Sequence, residues 1–272
     1  MLDLTQDLFG TPFLAGLCFA LALPLLGCYL RLRDEWLGAL AYAQVAAAGA
    51  LVAMPLGLPL ALGGGLAGAA AALLKRLLAR SQGAAASYAL LLIAGWAGSV
   101  LLTANLPMAE RMGHALFDGQ LYFAERSQLL LAWAWCLPAL AVLAGLSRWL
   151  LLARLYPDYF RVLRPRGGWL HLAFDLLTAG TLALATMTLG VLGVFALVFI
   201  PPWAAFRLGR GWRSGLVWAG LCGVGAYLLA FFLALRLDQP FGPVLAMVLV
   251  ALALLLLIFR RDCVPATGVL KD

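Results

Sequence analysis

Long apolar stretches alternate with short clusters of basic residues along this chain. Sixteen of the nineteen Lys and Arg residues lie in five such clusters. A membrane-spanning helix needs about 20 mostly apolar residues, so the stretch before the first cluster has room for one helix and each of the four stretches between clusters has room for two. The pattern therefore predicts nine membrane-spanning helices. The clusters are Arg31 and Arg33; Lys75, Arg76 and Arg80; Arg148, Arg154, Arg161, Arg164 and Arg166; Arg207, Arg210 and Arg213; and Arg260, Arg261 and Lys271.

The basic clusters also predict the topology, because Lys and Arg collect in cytoplasmic loops. All five clusters lie inside if the chain begins outside and ends in the cytoplasm. We therefore expect an all-α polytopic membrane protein, with residues 1–262 forming a transmembrane domain and residues 263–272 a cytoplasmic tail. The predicted spans are 8–30, 36–55, 58–74, 86–104, 129–147, 170–187, 189–206, 215–235 and 241–259.

Composition agrees with a membrane protein and does not favour a nucleic-acid-binding protein. The chain is 65% hydrophobic and 11% charged, with a mean hydropathy of +0.99, which is far above the values of soluble domains. Its net charge of +7 follows from the basic bias of the inside loops, so it gives no reason to expect a nucleic-acid partner.

Two segments outside the spans are informative. Residues 105–127 form the only long external loop, and their apolar residues favour a helix lying on or dipping into the outer surface. On the inside, Pro157 suits the first position of a helix and Asp158 complements the positive end of its dipole, while Pro165 ends it. We therefore predict a short cytoplasmic helix over about 157–164.

Small residues in the third span allow another helix to approach closely. Gly64 and Gly68 lie one turn apart on the same helical face, and small residues at this spacing are typical of tight helix packing in membranes. Packing within one subunit is the favoured interpretation, and a contact between two copies of the chain is the alternative.

The motifs of several enzyme classes are missing. Both lysines, Lys75 and Lys271, follow a leucine, so neither belongs to a phosphate-binding G-x-x-x-x-G-K-[ST] loop. The two histidines form no H-E-x-x-H motif and no serine lies in G-x-S-x-G. We therefore expect a chain that is not an enzyme and has no ATPase motif of its own.

Charged residues inside membrane spans are candidates for function, because their burial is costly. The strongest case is Asp175, which lies four residues after His171 and therefore on the same helical face, at the cytoplasmic end of the sixth span. The pair could be a cation exit site or a link to the short inside helix, but an interfacial hydrogen-bonded pair is the favoured interpretation. The scarcity of carboxylates near the midplane argues against a proton-coupled secondary transporter.

Four segments, within a region from about Pro24 to Arg261, resemble those of a known family. Gly190, Leu192, Ile200, Pro201 and Ala205 are in register with the family pattern V-G-x-L-L, an apolar run and I-P-A-x-x-A, and residues 238–243 are similar to its D-x-P-x-G-P turn. Leu116 and Phe117 resemble its L-F-G-D segment, with Asp118 and Gly119 in reversed order, and Pro157 and Asp158 resemble its Pro-acidic turn. The family comprises the membrane subunits of bacterial ABC importers for zinc, manganese or iron.

This resemblance implies a transport subunit of the bacterial inner membrane. The chain would dimerise with a second copy and dock two ABC ATPase subunits, which bind and hydrolyse ATP with Mg; the chain itself binds no cofactor. It would receive its substrate from a periplasmic or surface binding protein and move a divalent metal ion, such as zinc or manganese, by alternating access.

The resemblance also assigns the contact with the ATPase to the short inside helix. Tyr159, Phe160 and Val162 would fill a groove on the ATPase, and the arginines would set its orientation. A basic amphipathic turn resting on anionic lipid is the alternative. The residues assigned to coupling are Pro157, Asp158, Tyr159, Phe160, Arg161 and Arg164.

One departure from the family bears on the substrate. Where the family has D-x-x-x-H-A, with two metal ligands one turn apart, this chain has Gly38 and Tyr42. A metal chelate or a small organic solute is therefore the alternative substrate, and no residue is assigned as a metal ligand. The residues assigned to the translocation path are Gly38, Tyr42, Gln44, Pro201 and Asp238; the neutral or soft side chains of Cys18, Cys28, Met54 and Met187 are more typical of packing.

Overall fold

A computed structural model describes residues 2–119, 121–123, 125–156, 158, 160, 168–209 and 211–259. Within these residues all regular structure is helical, which confirms the predicted all-α class, and each of the nine predicted spans coincides with a helical segment. The α-helices are α1 (Leu2–Leu32), α2 (Leu37–Ala53), α3 (Leu60–Gln82), α4 (Ala84–Asn105), α5 (Pro107–Asp118), α6 (Arg126–Leu155), α7 (Gly168–Leu208), α8 (Trp212–Leu237) and α9 (Phe241–Phe259), with a short 3-10 turn at Leu121–Phe123.

Helix α7 contains two of the predicted spans. Its 41 residues are interrupted at Gly190, where φ is 76° and ψ is 160°. Before the break, Asp175 forms an ion pair with Arg33 just after α1. After the break, the Phe206 ring lies 5.7 Å from the guanidinium of Arg31, at the same end of α1. The chain therefore reverses direction at Gly190, and the two halves of α7 form a hairpin.

Most of the described helices are long enough to cross a membrane. Seven of them are long and apolar enough to span a bilayer, with α7 counted once. Helix α2 has 17 residues and is therefore about 25 Å long, slightly less than the roughly 30 Å of the hydrocarbon core. The second half of α7 and the short α2 account for the difference between seven helices and nine spans.

Four of the predicted basic clusters meet at one end of the helix bundle, which we call the cytoplasmic end. Arg33 and Lys75 share a partner there, and Arg154 of α6 pairs with Asp34. Arg31 contacts Phe206, the neighbour of Arg207 in the fourth cluster. This arrangement agrees with the prediction that the clusters share one side of the membrane. The predicted tail, residues 263–272, lies outside the described residues.

The opposite, external end is closed by three glycines, which we call the glycine junction: Gly119 after α5, Gly190 in α7 and Gly242 in α9. A Cβ atom on Gly190 would lie 2.5 Å from the Gly119 nitrogen, and one on Gly242 would lie 2.9 Å from the Leu189 oxygen. The backbones touch directly, so no larger residue fits. Within the predicted external loop, α5 is the expected helix, and its buried residues show that it packs against the bundle.

The small residues of α3 pack inside this subunit. A Cβ atom on Gly64 would lie 2.8 Å from Cε of Met187 in α7, and one on Gly68 would lie 3.3 Å from the carbonyl oxygen of Ala179. The favoured interpretation of these glycines, close packing within one chain, agrees with this geometry.

Candidate functional site

Four charged side chains form a closed ring at the cytoplasmic end, which we call the ion ring: Arg33 after α1, Glu35 before α2, Lys75 in α3 and Asp175 in α7. Arg33 lies 2.9 Å from Glu35 and 3.2 Å from Asp175. Lys75 lies 3.1 Å from Glu35 and 2.9 Å from Asp175. Each charge therefore has two opposite charges as neighbours, and the ring has no net charge.

The ion ring is largely shielded from solvent. Its side chains are only 4–12% exposed, and removing an ion from water costs several kcal/mol unless opposite charges compensate for it. Burial alone would raise the pKa of the Glu35 carboxyl, but the charges of Arg33 and Lys75 hold that pKa below its usual value. Glu35 therefore stays ionised, and the ring ties α1, α3 and α7 together.

Aromatic side chains complete the surroundings of the ion ring. The hydroxyl of Tyr88 in α4 donates a hydrogen bond of 3.1 Å to Glu35, and the Lys75 amine lies 5.2 Å from the centre of the Tyr88 ring. The guanidinium of Arg33 lies 4.8 Å from the centre of the Phe174 ring. These contacts add favourable interactions of cations with aromatic rings.

Tyr88 also occupies the space beside the positions where the resembling family has its metal ligands. A Cβ atom on Gly38 would lie 2.8 Å from the Tyr88 ring, and the ring of Tyr42 packs edge-on against Tyr88 with 5.6 Å between the centres. Positions 38 and 42 are thus separated from the ion ring by one aromatic side chain. In the described part of the chain, no three His, Cys, Asp or Glu side chains lie close enough together to hold a metal ion.

The residues predicted for the translocation path do not form one cluster. Gly38, Tyr42 and Gln44 are buried together along α2. Pro201 is buried in the second half of α7. Asp238 is exposed, ends α8 with a φ of 51°, and lies close in sequence to Gly242 of the glycine junction. Of these residues, Gly38 and Tyr42 contact Tyr88, which in turn contacts Glu35 of the ion ring.

The predicted pairing of His171 with Asp175 is wrong. Asp175 directs its two oxygens to Arg33 and Lys75, because these cations compensate a buried carboxylate better than a neutral imidazole does. His171 instead packs against Phe160, with 6.5 Å between the ring centres, and its buried Nδ1 has no hydrogen-bond partner among the described residues.

Sequence reasoning missed three members of the site. Arg33 and Lys75 were interpreted only as topological anchors, and Glu35 was not singled out. One signal was present: Lys75 lies inside the apolar helix Leu60–Ala79, where an unpaired lysine would be costly. A lysine in this position needs an acidic partner, but the sequence does not identify which residue that partner is.

A cavity of about 570 Å³, the inner cavity, opens beside the ion ring. It lies between the cytoplasmic ends of α3, α6 and α7. It contains all four side chains of the ion ring and two further basic side chains, Arg76 and Arg154. Its walls are formed by Arg33, Glu35, Lys75, Arg76, Ala79, Leu150, Ala153, Arg154, Gly168, His171, Leu172 and Asp175.

The structure describes two of the residues predicted to couple to an ATPase. Asp158 is exposed. Phe160 is only 6% exposed and packs against His171 of its own chain, so the expectation that its ring fills a groove on another subunit is wrong. The other predicted coupling residues, Pro157, Tyr159, Arg161 and Arg164, lie outside the described residues.

Together, the apolar helices and the common basic end define a multi-pass membrane protein. The chain belongs to the ABC 3 transport family, whose model matches residues 6–260. It is therefore the membrane permease subunit of an ABC transporter, in agreement with the resemblance of its motifs.

Known proteins are similar to this chain over nearly its whole length. The chain is 23% identical over 268 residues to the chelated iron transport system membrane protein YfeD of Yersinia pestis, covering 96% of this chain and 90% of that protein. Its fold is similar to PsaBC from Streptococcus pneumoniae in complex with Fab, with a TM-score of 0.81, 15% identity and coverage of 94% and 95%. It is also similar to a metal-chelate type ABC transporter in an inward-facing conformation, with a TM-score of 0.75, 20% identity and coverage of 91% and 85%.

Proposed function

We propose that this chain is the permease of a bacterial inner-membrane importer whose cargo is a chelated metal. Two copies of the chain would form the pathway and dock two ATPase subunits, which bind and hydrolyse ATP with Mg, and a binding protein would deliver the cargo. Membership of the ABC 3 transport family supports the permease role. The name of the relative from Yersinia pestis supports a metal chelate as the cargo.

One observation carries the preference for a chelate over free zinc or manganese. The ring of Tyr88 lies against Gly38 and Tyr42, the positions where the resembling family has a carboxylate and an imidazole. A free divalent ion needs such ligands from the protein. A chelate brings its own ligands and does not need them. Free zinc or manganese remains the second candidate, because the motifs resemble those of importers for these ions.

The same observation determines how the cargo is tested. Restoring only Gly38→Asp and Tyr42→His would push the new aspartate into the Tyr88 ring, so the test also needs Tyr88→Ala. Cells lacking their own zinc and manganese importers would express the complete transporter with wild-type permease, with Tyr88→Ala alone as the matched control, or with the triple variant. We expect radioactive free zinc or manganese to accumulate only with the triple variant, and only when the ATPase is intact.

Equal accumulation of free metal by the wild-type transporter and by the triple variant would show that positions 38 and 42 do not limit free ions. The chelate proposal would then be wrong, while the ATP-driven permease role would stand. Accumulation that persists with a hydrolysis-deficient ATPase would contradict the permease role itself.

Coupling to the ATPase would run through residues 157–164 and then through Phe160. Because Phe160 packs on His171, one turn before Asp175 in α7, a movement of this segment would reach the ion ring. The exposed Asp158, with Pro157, Tyr159, Arg161 and Arg164, would contact the ATPase.

Two single substitutions separate docking from coupling. Asp158→Arg should abolish co-purification with the ATPase, because it reverses a charge on the proposed contact surface. Phe160→Ala should keep co-purification but lower transport per ATP hydrolysed several-fold, because it removes the contact with His171. Loss of co-purification with Phe160→Ala and not with Asp158→Arg would reverse these assignments.

A further inference from the structure

Helices α6 and α7 touch near their middle and separate towards the cytoplasmic end. At the contact, the indole nitrogen of Trp135 donates a hydrogen bond of 3.1 Å to Thr181, and a Cβ atom on Gly180 would overlap the Trp135 ring. Below this contact, a groove of about 280 Å³ lies between the helices, and the inner cavity follows. We call the groove and the inner cavity together the α6–α7 cleft.

The cytoplasmic part of the cleft is basic. The charges of the ion ring cancel, which leaves Arg76 and Arg154 as further cations in the walls of the inner cavity. Arg154 pairs with Asp34, but that pair is exposed to solvent. The guanidinium of Arg76 lies 5.6 Å from the centre of the Trp169 ring.

Two further features of the inner cavity suit an anion. Gly168, the first residue of α7, lines the cavity beside Arg76, so the positive end of the α7 dipole points into it. The buried Nδ1 of His171, which has no hydrogen-bond partner in the part of the chain that the structure describes, lies in the same wall. Guanidinium groups next to a helix N-terminus are a suitable environment for a phosphate.

The deeper part of the cleft is apolar and faces outwards. It begins one turn further along α7, since Leu172 lines the inner cavity and Leu176 lines the groove. On α6, Ala153 of the cavity and Val142 of the groove are about three turns apart on the same face. The side chain of Val142 is 47% exposed, so the groove opens to the surroundings of the bundle. The remaining groove residues are Ala134, Trp135, Pro138, Ala139 and Leu177.

We infer that the α6–α7 cleft binds an anionic phospholipid, with its phosphate between Arg76 and Arg154 and an acyl chain in the apolar groove. Basic pockets between membrane helices on the cytoplasmic side suit anionic head groups, and this pocket continues directly into an apolar groove at membrane depth. A free phosphate ion would use only the basic part. The bound lipid lies next to the contact between Phe160 and His171, beside the segment proposed for coupling.

The test measures lipid retention by native mass spectrometry on the purified full-length permease with its ATPase, stripped of lipid and then given palmitoyl-oleoyl phosphatidylglycerol or the matching phosphatidylcholine. We expect the wild type to prefer phosphatidylglycerol. Arg76→Gln with Arg154→Gln should weaken its retention roughly tenfold or more, because each basic group near an anionic lipid contributes substantially. The control, Arg207→Gln with Arg213→Gln, removes the same charge on the cytoplasmic side but outside the cleft, and should change little.

A second variant tests the apolar half without changing any charge. Val142→Trp fills the groove from an exposed position, so it should fold normally and also lose phosphatidylglycerol several-fold. The assay needs neither cargo nor ATP turnover, so its outcome does not depend on the proposed cargo.

Three results would overturn the inference. Equal retention of both lipids by the wild type would show that there is no anionic preference. Equal losses in the cleft variant and in the arginine control would show a non-specific effect of net charge. Unchanged retention with Val142→Trp, together with displacement by an excess of inorganic phosphate, would show a site for free phosphate and not for a lipid.

Discussion

The external and cytoplasmic ends of the helix bundle are held together by different physical interactions. At the external end, the glycine junction brings three backbones into direct contact. At the cytoplasmic end, the ion ring joins helices through four long, charged side chains. The first contact has a single close-packed geometry, whereas ion pairs can lengthen, take up water or exchange partners. We therefore expect the cytoplasmic end to open more readily during transport.

The largest effect is expected from removing one charge of the ion ring. Lys75→Met leaves Glu35 and Asp175 with only Arg33 between them, and breaking a buried ion pair in this way costs about 3–5 kcal/mol. The melting temperature of the purified permease should fall strongly. Adding Asp175→Asn should restore part of the loss, because it removes the carboxylate that is left without its partner.

An exposed ion pair at the same end is the control for this prediction. Arg154→Gln removes the partner of Asp34. The side chain of Arg154 is 53% exposed and that of Asp34 is 71% exposed, and exposed pairs of this kind contribute at most about 1 kcal/mol. Equal losses of stability for Lys75→Met and Arg154→Gln would mean that the ion ring has no special role in holding the cytoplasmic end.

A smaller loss of stability is expected from a substitution at the external end. Gly190→Ala should destabilise the chain by about 2–3 kcal/mol, because its φ of 76° is unfavourable for alanine and its Cβ would overlap the Gly119 backbone. Thermal melting would measure the loss. Transport should fall together with the folded fraction, and not beyond it, if this end stays closed throughout the cycle.

Two other glycines separate the causes of that loss. Gly57 has a φ of 66° but open space around its Cβ position, so Gly57→Ala should show only the conformational cost of about 1–2 kcal/mol. Gly65 lies in α3 with open space, and Gly65→Ala should not destabilise the chain. Losses of similar size at Gly57 and Gly190 would show that the backbone contact contributes nothing.

Much of the fold could be predicted from the sequence. The apolar stretches gave the number and order of the spans, including the two that α7 combines, because each span needs a minimum apolar length that can be counted along the chain. The basic clusters showed which loops share one side. The motifs around Gly190, Pro201 and Asp238 indicated the family, which the match over residues 6–260 confirms.

The ion ring could not be predicted in the same way. Arg33, just after α1, and Asp175 in α7 are distant in the sequence, and their pairing depends on how α1, α3 and α7 pack. The helical spacing of His171 and Asp175 suggested a local pair, but stronger partners from other helices displaced the histidine. Phe160 was likewise expected at a partner surface and is instead buried against His171.

The sequence by itself therefore determined the class of protein, its helices and its family. These depend on properties of single segments, namely how apolar a segment is and how many basic residues flank it. Only the tertiary structure decided which charges neutralise one another, what fills the space beside Gly38, and where the α6–α7 cleft opens. These depend on distances of a few ångströms between side chains far apart in the chain, and helix packing sets those distances.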